Sequence, residues 1–449
     1  MKTLENIQNI YFIGIGGIGM SALARYFNTK GKVVSGYDKT PSEITKALEN
    51  EGITIHFHED ISIVNALPNK NTLVVYTPAI PVESLLLNGF KNQEFVMMKR
   101  AAVLGLITKQ TKCLAIAGTH GKTTSTAILG HLLASAHEEV TVFLGGVSEN
   151  YNSNLILNGS KITVVEADEF DRSFLQLNPY IAGITSMDPD HLDIYGDEAH
   201  LIQAFTSFAN LVPNKEFLLH KKGLPLCGKT VGIEDNSDYE AQNVRIENGS
   251  YVFDLKTPHI KLENLILNLP GRHNLFNATL ALGMAICLGS PTSGMPEALF
   301  NFKGVQRRFT YKIKTENLVL IDDYAHHPSE INAVYQAVKE MYPNKKNLVV
   351  FQPHLFSRTH DFGDAFAASL TPFDEIILLD IYPAREKPMK GITSQWLLNK
   401  IKNNHKKLSN KTQLIQDLKN SSATIILMLG AGDIGEVVET IKNKLIIEN

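Results

Sequence analysis

Short apolar runs recur along the chain, and three of them break at a glycine or polar cluster and pass into a helical pattern. Asn9–Phe27 reads NIYFIGIGGIGMSALARYF, and Cys113–Leu133 reads CLAIAGTHGKTTSTAILGHLL. The third is LVLIDDYAHHP, followed by the helix-like SEINAVYQAVKEMY over Ser329–Tyr342. Strand–turn–helix units repeated in this way predict an α/β protein built on parallel sheets. Further strands are predicted at Thr72–Tyr76, Ile162–Ala167, Asn347–Gln352, Glu375–Asp380 and Thr424–Gly432. A helical segment ends near Ile107 before a new strand at Cys113, and VQRRFTY precedes the strand NLVLID. These breaks predict domains at 1–107, 108–310 and 311–449. The stretch Lys221–Leu269, with its short strands and turns, is expected to be a β-rich insertion in the central domain.

A length of 449 residues fits about three domains of ordinary size. The net charge of −3 gives no global electrostatic case for nucleic acid or an anionic membrane, so anions must be held by local cations and backbone N–H groups. Three widely spaced cysteines fit neither a zinc site nor a disulfide framework, which points to the reducing cytosol. No apolar run approaches the roughly 18 residues a membrane span needs, and MKTLENIQNIYFIGIGG reads as a first strand rather than a signal peptide. A monomer or weak homodimer is expected.

The strongest local signal is Gly118-Thr119-His120-Gly121-Lys122-Thr123-Thr124, set between a strand and a helix. Glycines let backbone N–H groups close on phosphate oxygens, and the helix N-terminus adds partial positive charge. Lys122 can bridge the β- and γ-phosphates of a nucleotide, and the Thr123 hydroxyl can bind Mg²⁺. The glycine that opens the common form of this loop is Ile116 here, so the loop is a variant. Such a site needs a carboxylate at the end of a neighbouring strand, and Glu166 closes the apolar run ITVVEA. At least one of Asp168 and Glu169 is expected to be a solvated turn residue. His191, flanked by Asp190 and Asp193 after another strand, is a candidate metal or phosphate contact.

Gly14, Gly16, Gly17 and Gly19 form a second glycine turn, and Asp38 ends the following strand. Taken alone this is a dinucleotide fingerprint with its ribose-binding acid, which suggests NAD.

The motifs GTHGKTT, EADEFDRSFL, DPDHLDIYGD, LPGRHNLFNATLAL, VQRRF, DDYAHHP and FQPHLFSRT follow one another along the chain. In that order, with GIGGIGM before them and LGAGDIGE after, they resemble the Mur ligases over essentially the whole length. The likeness is strongest to the branch that adds L-alanine.

The resemblance implies three domains: an N-terminal Rossmann-like domain for a UDP-sugar, a central P-loop-like ATPase, and a C-terminal Rossmann-like domain that brings the amino acid. It implies ATP-dependent joining of L-alanine to the lactyl carboxylate of UDP-N-acetylmuramate, through an acyl phosphate, in peptidoglycan synthesis. It also moves the N-terminal glycine turn from NAD to the diphosphate of the UDP-sugar. Two Mg²⁺ ions are implied, one on Thr123 and Glu166 and one on His191. Asn277, Arg308 and Asp323 would contact the nucleotide, and His326, His354 and Arg358 the amino acid. Arg308 and Asp323 fall on opposite sides of the 310/311 boundary, which implies a closing motion.

Structural tasks are expected for some neighbours: Arg307 as a solvated partner of Arg308, Asn274 as a helix cap, and one of His326 and His327 in packing. Two positions depart from the family pattern. Several members carry a carbamylated lysine where this chain has Phe205, so no carbamate is expected. The alanine-adding members have arginine where this chain has Leu355, so one cationic contact is missing or comes from elsewhere.

Overall fold

The computed structural model describes residues 4–188, 195, 197–384 and 386–447. His191 and its flanking aspartates lie outside them. Among the described residues no helix is long and apolar enough to cross a membrane.

Three sheets organise the chain. The first contains β1 (Asn9–Ile13), β2 (Val33–Tyr37), β3 (Thr54–His56), β4 (Thr72–Tyr76) and β5 (Val96–Lys99). Its order is β3-β2-β1-β4-β5, all parallel. β1 shows why its run is apolar at every position. Ile10 and Phe12 pack on one face with Leu23 and Phe27, while Tyr11 and Ile13 pack on the other with Val74 and Phe90. A parallel strand covered on both faces needs no polar alternation.

The central sheet contains β6 (Lys112–Ala117), β7 (Val140–Ser148), β8 (Ser153–Leu157), β9 (Ile162–Ala167) and β10 (Pro179–Ile184). It continues through β11 (Leu218–Lys221), β12 (Lys229–Ile233), β13 (Tyr239–Glu247), β14 (Ser250–Lys256) and β15 (Lys261–Leu267). The order is β15-β14-β13-β12-β11-β10-β6-β9-β7-β8. The β-rich stretch of the sequence therefore supplies β12–β15, which extend this sheet. β6 lies between β9 and β10, so the loop leaving β6 opens at the middle of the parallel part.

The third sheet contains β16 (Thr310–Lys314), β17 (Val319–Asp323), β18 (Asn347–Phe351), β19 (Glu375–Leu378), β20 (Lys406–Leu408) and β21 (Ile425–Leu429). Its order is β16-β17-β21-β18-β19-β20, parallel except for the edge strand β16. Val349 and Phe351 pack against the helix Pro328–Met341 through Ile331 and Val334. Leu348 and Val350 pack on the other face with Ile434 and Val438. The fold is thus mixed α/β with parallel sheets.

The chain divides into two compact units. One comprises residues 1–244, 253–266 and 276–303, and the other residues 245–252, 267–275 and 304–449.

Candidate functional site

In the first unit, the loop after β6 turns sharply at two glycines. Gly118 has φ +135° and Gly121 has φ +83°, conformations that favour glycine. Space excludes a side chain as well. A carbon added at Gly118 would lie 2.0 Å from Thr185 Oγ1, and one at Gly121 would lie 2.5 Å from Asn277 Oδ1. Asn277 therefore lies against this loop.

The helix Lys122–Ser135 starts here, with Gly121 as its N-cap and no side-chain cap among the described residues. Thr123 and Thr124 are buried in its first turn. Thr119 Oγ1 and Ser186 Oγ lie 2.9 Å apart, and the His120 N–H donates to the same serine oxygen at 2.9 Å. The residues after β10 thus hold the loop from outside.

Charged groups converge on the loop. Thr123 Oγ1 donates to Glu166 at 3.1 Å, and the Gly145 N–H donates to the other Glu166 oxygen at 2.5 Å. Lys122 Nζ donates to the Gly118 carbonyl at 2.6 Å and to both oxygens of Glu169 at 2.9 and 2.7 Å. Burial opposes the charge on Lys122, but Glu169, Asp168 and Glu166 outweigh it and raise its pKa. Asp168 is part-exposed and pairs with Arg100 at 3.3 Å. Of the two acids after Glu166, then, Asp168 fits the expected turn residue, and Glu169 is the buried partner of the phosphate-loop lysine. An ammonium carried into a buried helix start requires a counter-charge, and that requirement was the available signal.

The first glycine turn lies in the same unit. Gly14 has φ +85°, and the Gly16 N–H donates to Asp38 at 2.8 Å. Asp38 therefore shapes the turn itself. Gly17 caps the helix Ile18–Thr29 without a side-chain hydrogen bond. A carbon added at Gly19 would lie 2.5 Å from Arg100 Nη1. Arg100, not singled out from the sequence, thus lies over this turn and pairs with the acidic end of β9.

Arg308, Asp323, His326, His354 and Arg358 lie in the second unit. Asp323, at the end of β17, accepts from the N–H groups of Ala325 at 2.7 Å and Phe309 at 2.6 Å. Burial pushes its pKa up to about 6, against Arg308 and these N–H groups. Arg308 lies 5.2 Å from the centre of the Tyr324 ring, in the same unit as Asp323.

His326 Nδ1 is 2.9 Å from the Tyr324 carbonyl and 3.3 Å from the Glu330 carboxylate. Burial lowers its pKa despite Glu330, and Arg358 and Arg308 act in the same direction. The rings of His326 and His354 are 6.0 Å apart, and His354 stacks on Tyr382 at 5.7 Å. His326, His354 and Arg358 therefore form one cluster. His327 caps the helix Pro328–Met341 and packs on Phe362 at 4.9 Å, which makes it the packing member of the histidine pair. Leu355 has φ +70°, a strained value for a residue with a side chain.

A glycine loop opening a buried helix, with lysine, threonine and carboxylate at its mouth, defines an α/β protein of the nucleotide-phosphate-handling class. Comparison with known proteins narrows this. Residues 9–112 match the Mur ligase family, catalytic domain; residues 116–285 match the Mur ligase middle domain; residues 307–434 match the Mur ligase, glutamate ligase domain.

The chain is 58% identical over 451 residues to UDP-N-acetylmuramate–L-alanine ligase of Christiangramia forsetii, covering 100% of each chain. It is 58% identical over 446 residues to the protein of that name from Flavobacterium psychrophilum, covering 98% of this chain and 99% of that one. The solved UDP-N-acetylmuramate-alanine ligase of Thermotoga maritima has a TM-score of 0.83 at 26% identity, over 98% of this chain and 100% of that one. A MurF ligase of Thermotoga maritima in complex with ADP shares the fold, with a TM-score of 0.64 at 15% identity over 100% of both chains. The chain belongs to the Mur ligase family, which is ATP-dependent.

Proposed function

We propose that this chain joins L-alanine to the lactyl carboxylate of UDP-N-acetylmuramate at the expense of ATP, in the cytoplasm, as a step of peptidoglycan precursor synthesis. The observation that carries the reading is Arg100, which lies over the Gly14–Gly19 turn and pairs with Asp168 beside the Lys122 loop. Two phosphate-type turns, one for a UDP-sugar and one for ATP, are thereby linked within one unit, as a phosphoryl transfer between those substrates requires.

A carboxylate is a poor acceptor for an amine. The γ-phosphoryl of ATP therefore passes first to the lactyl carboxylate and releases ADP. The alanine amine then attacks the acyl carbon, and phosphate leaves. The first step brings two anions together, and Lys122 supplies a cation to the transferring group.

The residues present fit Mg²⁺. The Thr123 hydroxyl and the Glu166 carboxylate are hard oxygen donors 3.1 Å apart at the mouth of the loop. Bound there, the ion would neutralise charge on the phosphates. A second ion is assigned to His191, and nucleotide contacts to Asn277, Arg308 and Asp323. The diphosphate of the UDP-sugar is assigned to the Gly14–Gly19 turn and the open start of the helix Ile18–Thr29. His326, His354 and Arg358 take the amino acid, with the guanidinium gripping its carboxylate through two hydrogen bonds.

Phosphate release with UDP-N-acetylmuramate across a panel of acceptors tests this. L-alanine should be best, with measurable use of L-serine and glycine, because one small group changes binding by only about 1–3 kcal/mol. D-glutamate should be inert. Preference for D-glutamate or a tripeptide would overturn the assignment within the family.

A further inference from the structure

The third sheet carries a motif for which the ligase reading has no task. Gly430-Ala431-Gly432-Asp433-Ile434-Gly435 follows β21 and opens the helix Ile434–Ile447, in the spacing of a dinucleotide-phosphate turn. Here protein side chains occupy that turn. The Ile434 N–H donates to Gln352 Oε1 at 2.9 Å, and Gln352 Nε2 donates to Asp433 at 2.8 Å. The Arg307 guanidinium donates to the Gly430 carbonyl at 2.5 Å. A carbon added at Gly435 would fall 2.5 Å from Arg307 Cζ. The last glycine of the motif is therefore the floor of a guanidinium seat.

The other contacts of Arg307 reach the end of β17 and Tyr324 beyond it. Its Nε lies 3.4 Å from Asp322, whose side chain is only 3% exposed. Its guanidinium lies 5.1 Å from the centre of the Tyr324 ring, the ring that Arg308 also meets at 5.2 Å. Its carbonyl accepts from the Tyr324 N–H at 2.7 Å. Arg307 and Phe309 adopt φ of +59° and +53°, and Phe309 donates to Asp323. A loop with two left-handed residues holds its shape only where surrounding contacts over-determine it.

We propose that Arg307 is a positioning residue of the ligase reaction: seated in the glycine turn at Gly430–Gly435, it locks the Gln306–Phe309 loop to the end of β17 and so sets where Arg308 points. The inference rests on the reading of Arg308 as a nucleotide contact.

Arg307→Ala, Arg307→Lys, Gly435→Ala and Arg308→Ala are compared by steady-state kinetics and thermal unfolding. Arg307→Ala should raise the KM for ATP about tenfold and leave that for alanine within about twofold. Guanidinium at millimolar concentration should recover part of the loss, and methylammonium should not. Arg307→Lys should fail to restore ATP affinity, because an ammonium cannot make the forked contacts. Gly435→Ala keeps the arginine but fills its seat; it should raise the same constant and carries the test if Arg307→Ala does not fold.

Wild-type ATP constants in Arg307→Ala or Gly435→Ala, with only the unfolding temperature lowered, overturn the inference. If Arg308→Ala also leaves ATP untouched, the nucleotide role of Arg308 falls with it. If Arg308→Ala raises the constant and Arg307→Ala does not, this inference alone falls. A rise in Arg307→Ala alone would make Arg307 itself the nucleotide contact and remove the positioning role.

Discussion

Replacing Lys122 with alanine removes the cation assigned to the transferring phosphoryl group, and from sequence alone the fold should survive that change. The structure adds a second consequence. Lys122 gives its hydrogens to Gly118 and to both oxygens of Glu169, and the side-chain exposures of the pair are 17% and 1%. Alanine would leave the Glu169 carboxylate buried without its cation. Removing one member of such a pair costs about 3–5 kcal/mol, a large part of a typical total of about 5–15 kcal/mol. Lys122→Ala should therefore lose both turnover, by about a hundredfold or more, and several kcal/mol of stability. Lys122→Met combined with Glu169→Gln removes both charges, and it should recover most of the stability and none of the turnover. Denaturant unfolding and phosphate release on the same preparations separate the two effects. An unchanged unfolding midpoint in Lys122→Ala, or a double variant no more stable than the single, refutes the structural half. Near-wild-type turnover in folded Lys122→Ala removes the phosphate-site assignment.

Further outcomes follow from other sites. Because burial raises Asp323 from 3.8 to about 6, its contribution is greatest when protonated and is lost as pH rises through that interval. Asp323→Asn should flatten that part of the curve of Tm against pH relative to the wild type, and an unchanged slope counts against the burial argument. Phe205 is fully buried, edge-on to Phe174 at 5.4 Å, so turnover should be indifferent to bicarbonate; a bicarbonate requirement would contradict this. Phe205→Ala should cost about 3–5 kcal/mol in unfolding experiments. Arg358→Ala should raise the KM for alanine far more than that for ATP; equal effects would move Arg358 out of the amino-acid pocket.

The central strands were legible because a parallel strand covered on both faces reads as an unbroken apolar run. Thr72–Tyr76 and Ile162–Ala167 have the predicted bounds. The phosphate loop was legible because its glycines, lysine and threonine are contiguous. What periodicity could not show was how residues far apart in sequence are assigned by packing. Residues 245–252 and 267–275 belong to the second unit, although they include ends of β13, β14 and β15. Glu169 and Arg307 were passed over for one reason. Each is one of two adjacent like charges, the second of Asp168–Glu169 and the first of Arg307–Arg308, and the backbone decides which of them turns inward. At Arg307 that decision is a left-handed residue, which an arginine does not announce. The strained φ of Leu355 was hidden in the same way, although the sequence did mark the position as unusual for its family.

The two glycine fingerprints show why such a motif alone does not name a ligand. In each, the last glycine faces a guanidinium: Arg100 at Gly19 and Arg307 at Gly435. What differs is what surrounds the arginine and the helix start. At the first turn, Arg100 pairs with Asp168, which is 39% exposed, and no described side chain caps the helix Ile18–Thr29. Its free N–H groups and an arginine not locked in a buried pair are what an anionic ligand needs. At the third-sheet turn, Gln352 already takes the Ile434 N–H, and Arg307 is tied to the Gly430 carbonyl and to buried Asp322. A phosphate there would have to displace hydrogen bonds that already satisfy both partners. Glycine spacing guarantees only close approach to a backbone. Whether a ligand or the protein's own arginine makes that approach is decided by residues that the motif does not contain.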